Sequence, residues 1–206
     1  MEIRTIENEV TNTLVIEKSK FIGYLMPCNN RKEAEEKLNE LRNKHQDATH
    51  VCYAYIIIDE NVNLYKSSDD GEPSQTAGAP ILNVLKKNGL TNVLCAVIRY
   101  FGGIKLGAGG LTRAYTNSAS NVLSEANIVT LVDAYTYKVV FAYNLIKDIE
   151  KILESNNLKI VGKDFAMEVC YKIVVFDKQI IEVLKEKLSY LNVKFIEDLQ
   201  ILAKKN

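Results

Sequence analysis

Residues 99–115, RYFGGIKLGAGGLTRAY, combine the ingredients of a phosphate cradle. Five of the chain's ten glycines fall between Gly102 and Gly110, at Gly102, Gly103, Gly107, Gly109 and Gly110. Three cations, Arg99, Lys105 and Arg113, run through the same stretch. A helix N-terminus exposes unpaired N–H groups carrying partial positive charge, and glycine lets an anion approach them closely. The segment is expected to leave a strand and enter a helix, with Arg113 in that helix's first turn. The formal nucleotide motifs fail, however. A Walker A loop needs Gly-Lys-Ser/Thr, but Gly107 is followed by Ala108 and Gly109. A dinucleotide fingerprint begun at Gly107 meets Thr112 where its third glycine belongs. A left-handed turn with close helix–sheet packing requires glycine equally well. Anion or nucleic-acid contact and pure structure both stay open.

A second segment, SSDDGEPSQTAG (residues 67–78), supplies carboxylates. Asp69, Asp70 and Glu72 are of the type that can hold magnesium, since hard cations prefer oxygen. They can equally pair with Arg99 or Arg113. Ser74 and Thr76 lie just before a helix, where hydroxyls cap. An ordered loop of caps and ion pairs is the favoured expectation, and no metal site or cofactor is assigned. Neighbouring strands would bring this loop to face residues 99–113 across one cleft.

The remaining reactive types are sparse. His45 continues the stripe of a predicted helix, and His50 precedes a strand, where a hydrogen-bonded structural role is expected. Ser74, His50 and Asp70 make a triad only on paper, and no G-x-S-x-G elbow exists. Cys52, Cys95 and Cys170 fall in apolar strands and are expected in the core. Cys28, at a strand end, is expected to be more exposed. No pair has CxxC spacing, which suits a reduced, cytoplasmic chain rather than a metal or disulfide scaffold.

The elements that must position these residues follow from periodicity. Residues 13–28 read as two strands broken at Glu17–Lys18. Asn29 or Asn30 can cap a helix with Ala34, Leu38 and Leu41 inward. A strand at 50–59 has its hairpin partner at 63–67. Pro80 opens a helix that Gly89 closes. Residues 92–101 are apolar on both faces, as in a buried central strand. The next helix turns Leu111, Ala114, Tyr115, Ser118, Ala119, Val122, Leu123 and Ala126 to one side. From residue 135 the order is βαββαβ, a ferredoxin-like signature, with Asp177 placed to cap its second helix. The boundary between two domains, 1–132 and 133–206, is expected near Leu131–Ala134, without a Pro- or Gly-rich linker.

Composition bounds the partners. The 206 residues are 47% hydrophobic and carry 26 basic against 26 acidic side chains. This excludes a globally basic nucleic-acid coat and leaves a local patch possible. The start, MEIRTIENEV, does not read as a signal peptide. The longest apolar runs fall far below the ~18 residues that suggest a membrane span, so no membrane contact is expected.

Four segments together resemble the YigZ/IMPACT family: KSKFIG (18–23), THVCYAY (49–55), DDGEPSQTAGAPIL (69–82) and VIRYFGGIKLGAGGLTRAY (97–115). Residues 135–206 resemble the C-terminal domain of its bacterial members. Gln75 stands where many members carry glycine. The resemblance implies an α+β chain: an N-terminal ribosomal protein S5 domain 2-like α/β domain, then a ferredoxin-like domain. It also implies a translational setting, because eukaryotic relatives act in translational control. Two functions follow as expectations. One is a binding protein that contacts RNA, the ribosome or a translation or regulatory factor. Its surface would be Arg99, Gly102, Gly103, Lys105, Gly107, Gly109, Gly110 and Arg113, facing Asp69, Asp70, Glu72, Ser74 and Thr76. The other is an enzyme acting on a phosphorylated small molecule or nucleotide, as in small-metabolite kinases that share the S5-like fold.

Overall fold

A computed structural model describes residues 2–59 and 62–204. The chain is α+β and divides into two compact units, Ile3–Thr130 and the residues from Leu131 onward together with Glu2. The first unit contains β1 (Glu2–Ile6), β2 (Val10–Ile16), β3 (Ser19–Pro27), α1 (Arg31–Lys44), β4 (His50–Asp59), β5 (Val62–Ser68), α2 (Gly78–Lys87), β6 (Val93–Tyr100) and α3 (Gly107–Ser124). β7 (Ile128–Phe141) leads into the second unit. It is followed by α4 (Ile146–Ser155), β8 (Lys159–Phe165), β9 (Val169–Val175), α5 (Gln179–Lys187) and β10 (Lys194–Lys204).

The first sheet has the order β2-β3-β6-β4-β5, every neighbour antiparallel. Glu17 and Lys18 both take positive φ, 45° and 64°, and close β2 onto β3 as a two-residue hairpin turn. Helices cover both faces. On one, Ile81 and Leu85 of α2 and Leu111, Tyr115 and Val122 of α3 pack on Phe21, Cys52, Cys95 and Val97. On the other, Ala34, Leu38 and Leu41 of α1 pack on Tyr24, Tyr55, Leu94 and Ile98. β6 is therefore buried on both faces, which explains its unbroken apolar run. Asn30 caps α1 by accepting from the Glu33 N–H. Burial pushes the Cys52 and Cys95 thiols up to about 12, as expected of unreactive core residues. Cys28 differs from expectation: it is fully buried, and burial raises it to about 11. Cys170 is only partly buried.

The second sheet is five-stranded: β10, β7, β9 and β8 lie in that order with antiparallel neighbours, and β1 also pairs with β7. The strands of the second unit thus lie 4-1-3-2, the ferredoxin-like arrangement of a βαββαβ chain. Ile149 and Leu153 of α4 and Ile181 of α5 pack on Val139, Phe141, Tyr171 and Ile173. Asp177 Oδ1 accepts the Gln179 N–H at 2.9 Å, at the start of α5. β7 begins earlier than periodicity indicates and runs unbroken from Ile128. Its β-branched residues Ile128, Val129, Thr130 and Val132 favour extended chain, so the strand runs through Leu131–Ala134.

Candidate anion-binding cleft

The start of β4, the loop 69–77, the end of β6 and the start of α3 enclose a cleft of about 440 Å3. Sheet register builds it: His50 of β4 is the direct partner of Arg99 of β6. Thr49 ties the ends together. Its N–H donates to the Arg99 carbonyl at 2.8 Å, and its hydroxyl accepts the Phe101 N–H at 3.1 Å.

The carboxylates of the loop have separate tasks. Asp69 caps α2: Oδ1 accepts the Ala77 and Gly78 N–H groups at 2.9 and 2.8 Å, and Oδ2 accepts that of Gln75 at 2.8 Å. Partial burial alone would raise the Asp69 pKa, but the three N–H donors outweigh it and hold the pKa below its ordinary value. Asp70, at φ 45°, accepts the Val51 N–H at 2.7 Å. Thr76 donates to the Pro73 carbonyl at 2.6 Å, and Ser74 is exposed. The capping expected of Ser74 and Thr76 is thus done by Asp69, which reaches back from eight residues upstream.

Glu72 forms the cleft floor. Its Oε1 accepts from Arg99 Nη1 at 2.6 Å and from the Tyr115 hydroxyl at 2.9 Å. Burial, together with the Cys52 and Glu72 contacts, pushes the Tyr115 pKa far up, so it stays a neutral donor. His50 Nδ1 lies 2.8 Å from the Asp70 carbonyl. A carbonyl only accepts, so Nδ1 carries a proton and Nε2 faces Glu72 Oε2 at 3.8 Å. The Arg99 guanidinium lies between the Phe21 and Phe101 rings, each centroid 5.4 Å away. It is a buried structural cation, 5% exposed, rather than a free one.

The glycine segment forms the opposite wall. A Cβ on Gly102 would come 2.0 Å from the Lys18 carbonyl carbon, so the β2–β3 turn itself demands glycine there. Gly107 starts α3 at φ +66°, a conformation costly for any residue with a Cβ. Gly109 and Gly110 complete the first turn, and Gly103 lies in the loop before it. The helix thus begins four residues before Leu111, which moves Arg113 out of the first turn. Among the described residues no side chain caps the N-terminus of α3. Exposed Lys105 lies beside this terminus and lines the cleft. Arg113 lines an adjoining depression with Glu17, Ile104 and Lys105. So the three cations do not converge: Lys105 reaches the cleft, Arg99 holds its floor, and Arg113 stands outside. Among the described residues no cluster of three or more His, Cys, Asp or Glu side chains is arranged to hold a metal ion. No described helix is long and apolar enough to cross a membrane.

The sequence profile described as the Impact N-terminal domain matches residues 17–123, which hold every cleft residue. The chain belongs to the IMPACT family. IMPACT family member YigZ of Escherichia coli (strain K12) is 31% identical over 167 residues, covering 81% of this chain and 82% of that protein. IMPACT family member YvyE of Bacillus subtilis (strain 168) is 48% identical over 125 residues, 61% of this chain and 57% of YvyE. That match spans just over half of the relative's length. A crystal structure described as a hypothetical protein is similar across 96% of this chain and 98% of its own, at 26% identity and a TM-score of 0.64.

Sequence reasoning did not place His50, Phe101 or Tyr115 at the cleft. Tyr115 was legible only as a core residue of α3. His50 carried one local signal, its place in THVCYAY next to Thr49. Its pairing with Arg99 is a matter of strand register, which no short motif encodes.

Proposed function

We propose that this chain is a translation-related binding protein, and that its first unit holds phosphate groups of RNA, of the ribosome or of a translation factor in the cleft. The carrying observation is one wall of the cleft, where exposed Lys105 stands beside the uncapped N-terminus of α3. Unsatisfied N–H groups, helix dipole and a cation act together on an anion there. Family membership supports the translational setting. The enzyme reading is weaker, because Asp69 and Asp70 are spent on backbone N–H groups and Glu72 is paired with Arg99. Co-sedimentation of the full chain with ribosomes at low and high salt tests the proposal. The expected result is a bound fraction that falls as salt rises and falls further with Lys105→Ala. Absence of binding at low salt, or binding indifferent to both changes, contradicts it.

A further inference from the structure

The cleft is not uniformly cationic. The Glu72 side chain is 3% exposed and lies in the cleft floor. Its Oε1 is satisfied twice, but among the described residues no hydrogen bond reaches Oε2, and His50 Nε2 stays 3.8 Å away. Oε2 is thus an acceptor with open capacity on the cleft floor, and the buried side-chain atom there without a partner is a donor, Arg99 Nε. The opposite wall offers the α3 N-terminus and Lys105 to an anion. Between them Phe101 is 46% exposed, with the Arg99 guanidinium near its ring. Pro73 and Leu106 extend the apolar surface. A cleft of about 440 Å3 is of small-ligand size.

We infer that the cleft takes one nucleoside monophosphate unit, free or as the phosphorylated end of an RNA chain. This rests on the reading of the cleft as a phosphate site. The phosphate lies on the α3 amides and Lys105, the base packs on Phe101, and a base amino group donates to Glu72 Oε2. Aromatic packing favours a planar base over a sugar phosphate. A chain interior would carry a second phosphate past the Glu72 carboxylate, where like charge opposes it, so an end or a free unit fits better.

Calorimetric titration of the full chain with AMP, adenosine and purine riboside 5′-monophosphate tests this without altering the protein. AMP is expected to bind about tenfold or more tightly than either analogue, one lacking the phosphate and the other the amino donor. Lys105→Ala should erase most of the AMP advantage over adenosine and leave adenosine unchanged. Equal binding of AMP to either analogue, or no mononucleotide binding at millimolar concentration, overturns the inference. RNA oligonucleotides with 5′-phosphate and 5′-hydroxyl ends separate the sources. A preference for the phosphorylated end identifies the RNA end, and AMP binding without that preference identifies the free nucleotide. Salt-dependent RNA binding blind to the end, with no mononucleotide binding, sinks this inference and leaves the binding function standing. If neither RNA nor mononucleotides bind, both fall.

Discussion

Arg99 Nη1 donates to Glu72 Oε1 across 2.6 Å, and the two side chains are 6% and 3% exposed. The contact fastens the loop after β5 to the end of β6 from 27 residues away. It is a buried ion pair, so its energetics are asymmetric. Removing one partner leaves an uncompensated buried charge, which costs about 3–5 kcal/mol. Glu72→Ala and Arg99→Ala should each lower unfolding stability by about that amount in urea titrations. A double Arg99→Met, Glu72→Met variant should recover much of the loss. Single variants with wild-type stability would show that the pair does not form.

Asp69 gives a pH-dependent signature. Its folded pKa lies below the ordinary 3.8, because backbone N–H donors at the start of α2 overcome the effect of burial. Such a group stabilises the fold fully above its unfolded value, and the contribution is lost as pH falls through the folded value. Asp69→Ala should therefore cost about 1–2 kcal/mol at pH 7, as loss of a helix cap does. The gap from wild type should close as pH falls below 3.8. A gap that is constant with pH would assign the loss to packing alone.

Much of the frame was legible in residues. Alternation and β-branching located the strands, and the Ala34, Leu38 and Leu41 stripe located α1. The dual apolar faces of β6 announced a central strand. The cleft was legible only in part: of the residues singled out, Glu72, Arg99, Lys105 and Gly107 line it. Asp69 looks like Asp70 and Glu72 in a string. Only the fold sends the first to a helix terminus, the second to a strand amide and the third to an arginine. Likewise Arg99, Lys105 and Arg113 are equivalent cations until β6 buries the first and the earlier start of α3 turns the last outside.

Gln75 sits in the left-handed region, φ 62°, where glycine carries no steric penalty and other residues do. Gln75→Gly should raise stability by up to about 1 kcal/mol. The gain is partly offset by the greater freedom of glycine in the unfolded chain. A thermal melt measures it, and a lower melting temperature would contradict the strain.

His45 closes α1 inside a polar cluster. Nε2 lies 2.9 Å from the Tyr24 hydroxyl and Nδ1 lies 2.8 Å from that of Tyr100. Burial, and then Lys44 and Lys20, lower its pKa below 6.5, with Asp47 opposing them. The neutral ring is thus the folded form, and its stabilising contribution is present above pH 6.5 and lost as pH falls through the folded value. The chain has two histidines, so a nitrogen-detected NMR titration resolves both. A His45 midpoint at or above 6.5 would contradict the cluster.

The most direct test of phosphate binding in the cleft is the salt dependence of RNA affinity. Fluorescence anisotropy of a labelled RNA should give log K falling linearly with log salt for the wild type. Lys105→Ala should make that slope shallower by about one, while Lys32→Ala, on the exposed face of α1, leaves it unchanged. Identical slopes for wild type and Lys105→Ala, or no RNA binding at low salt, would contradict the account.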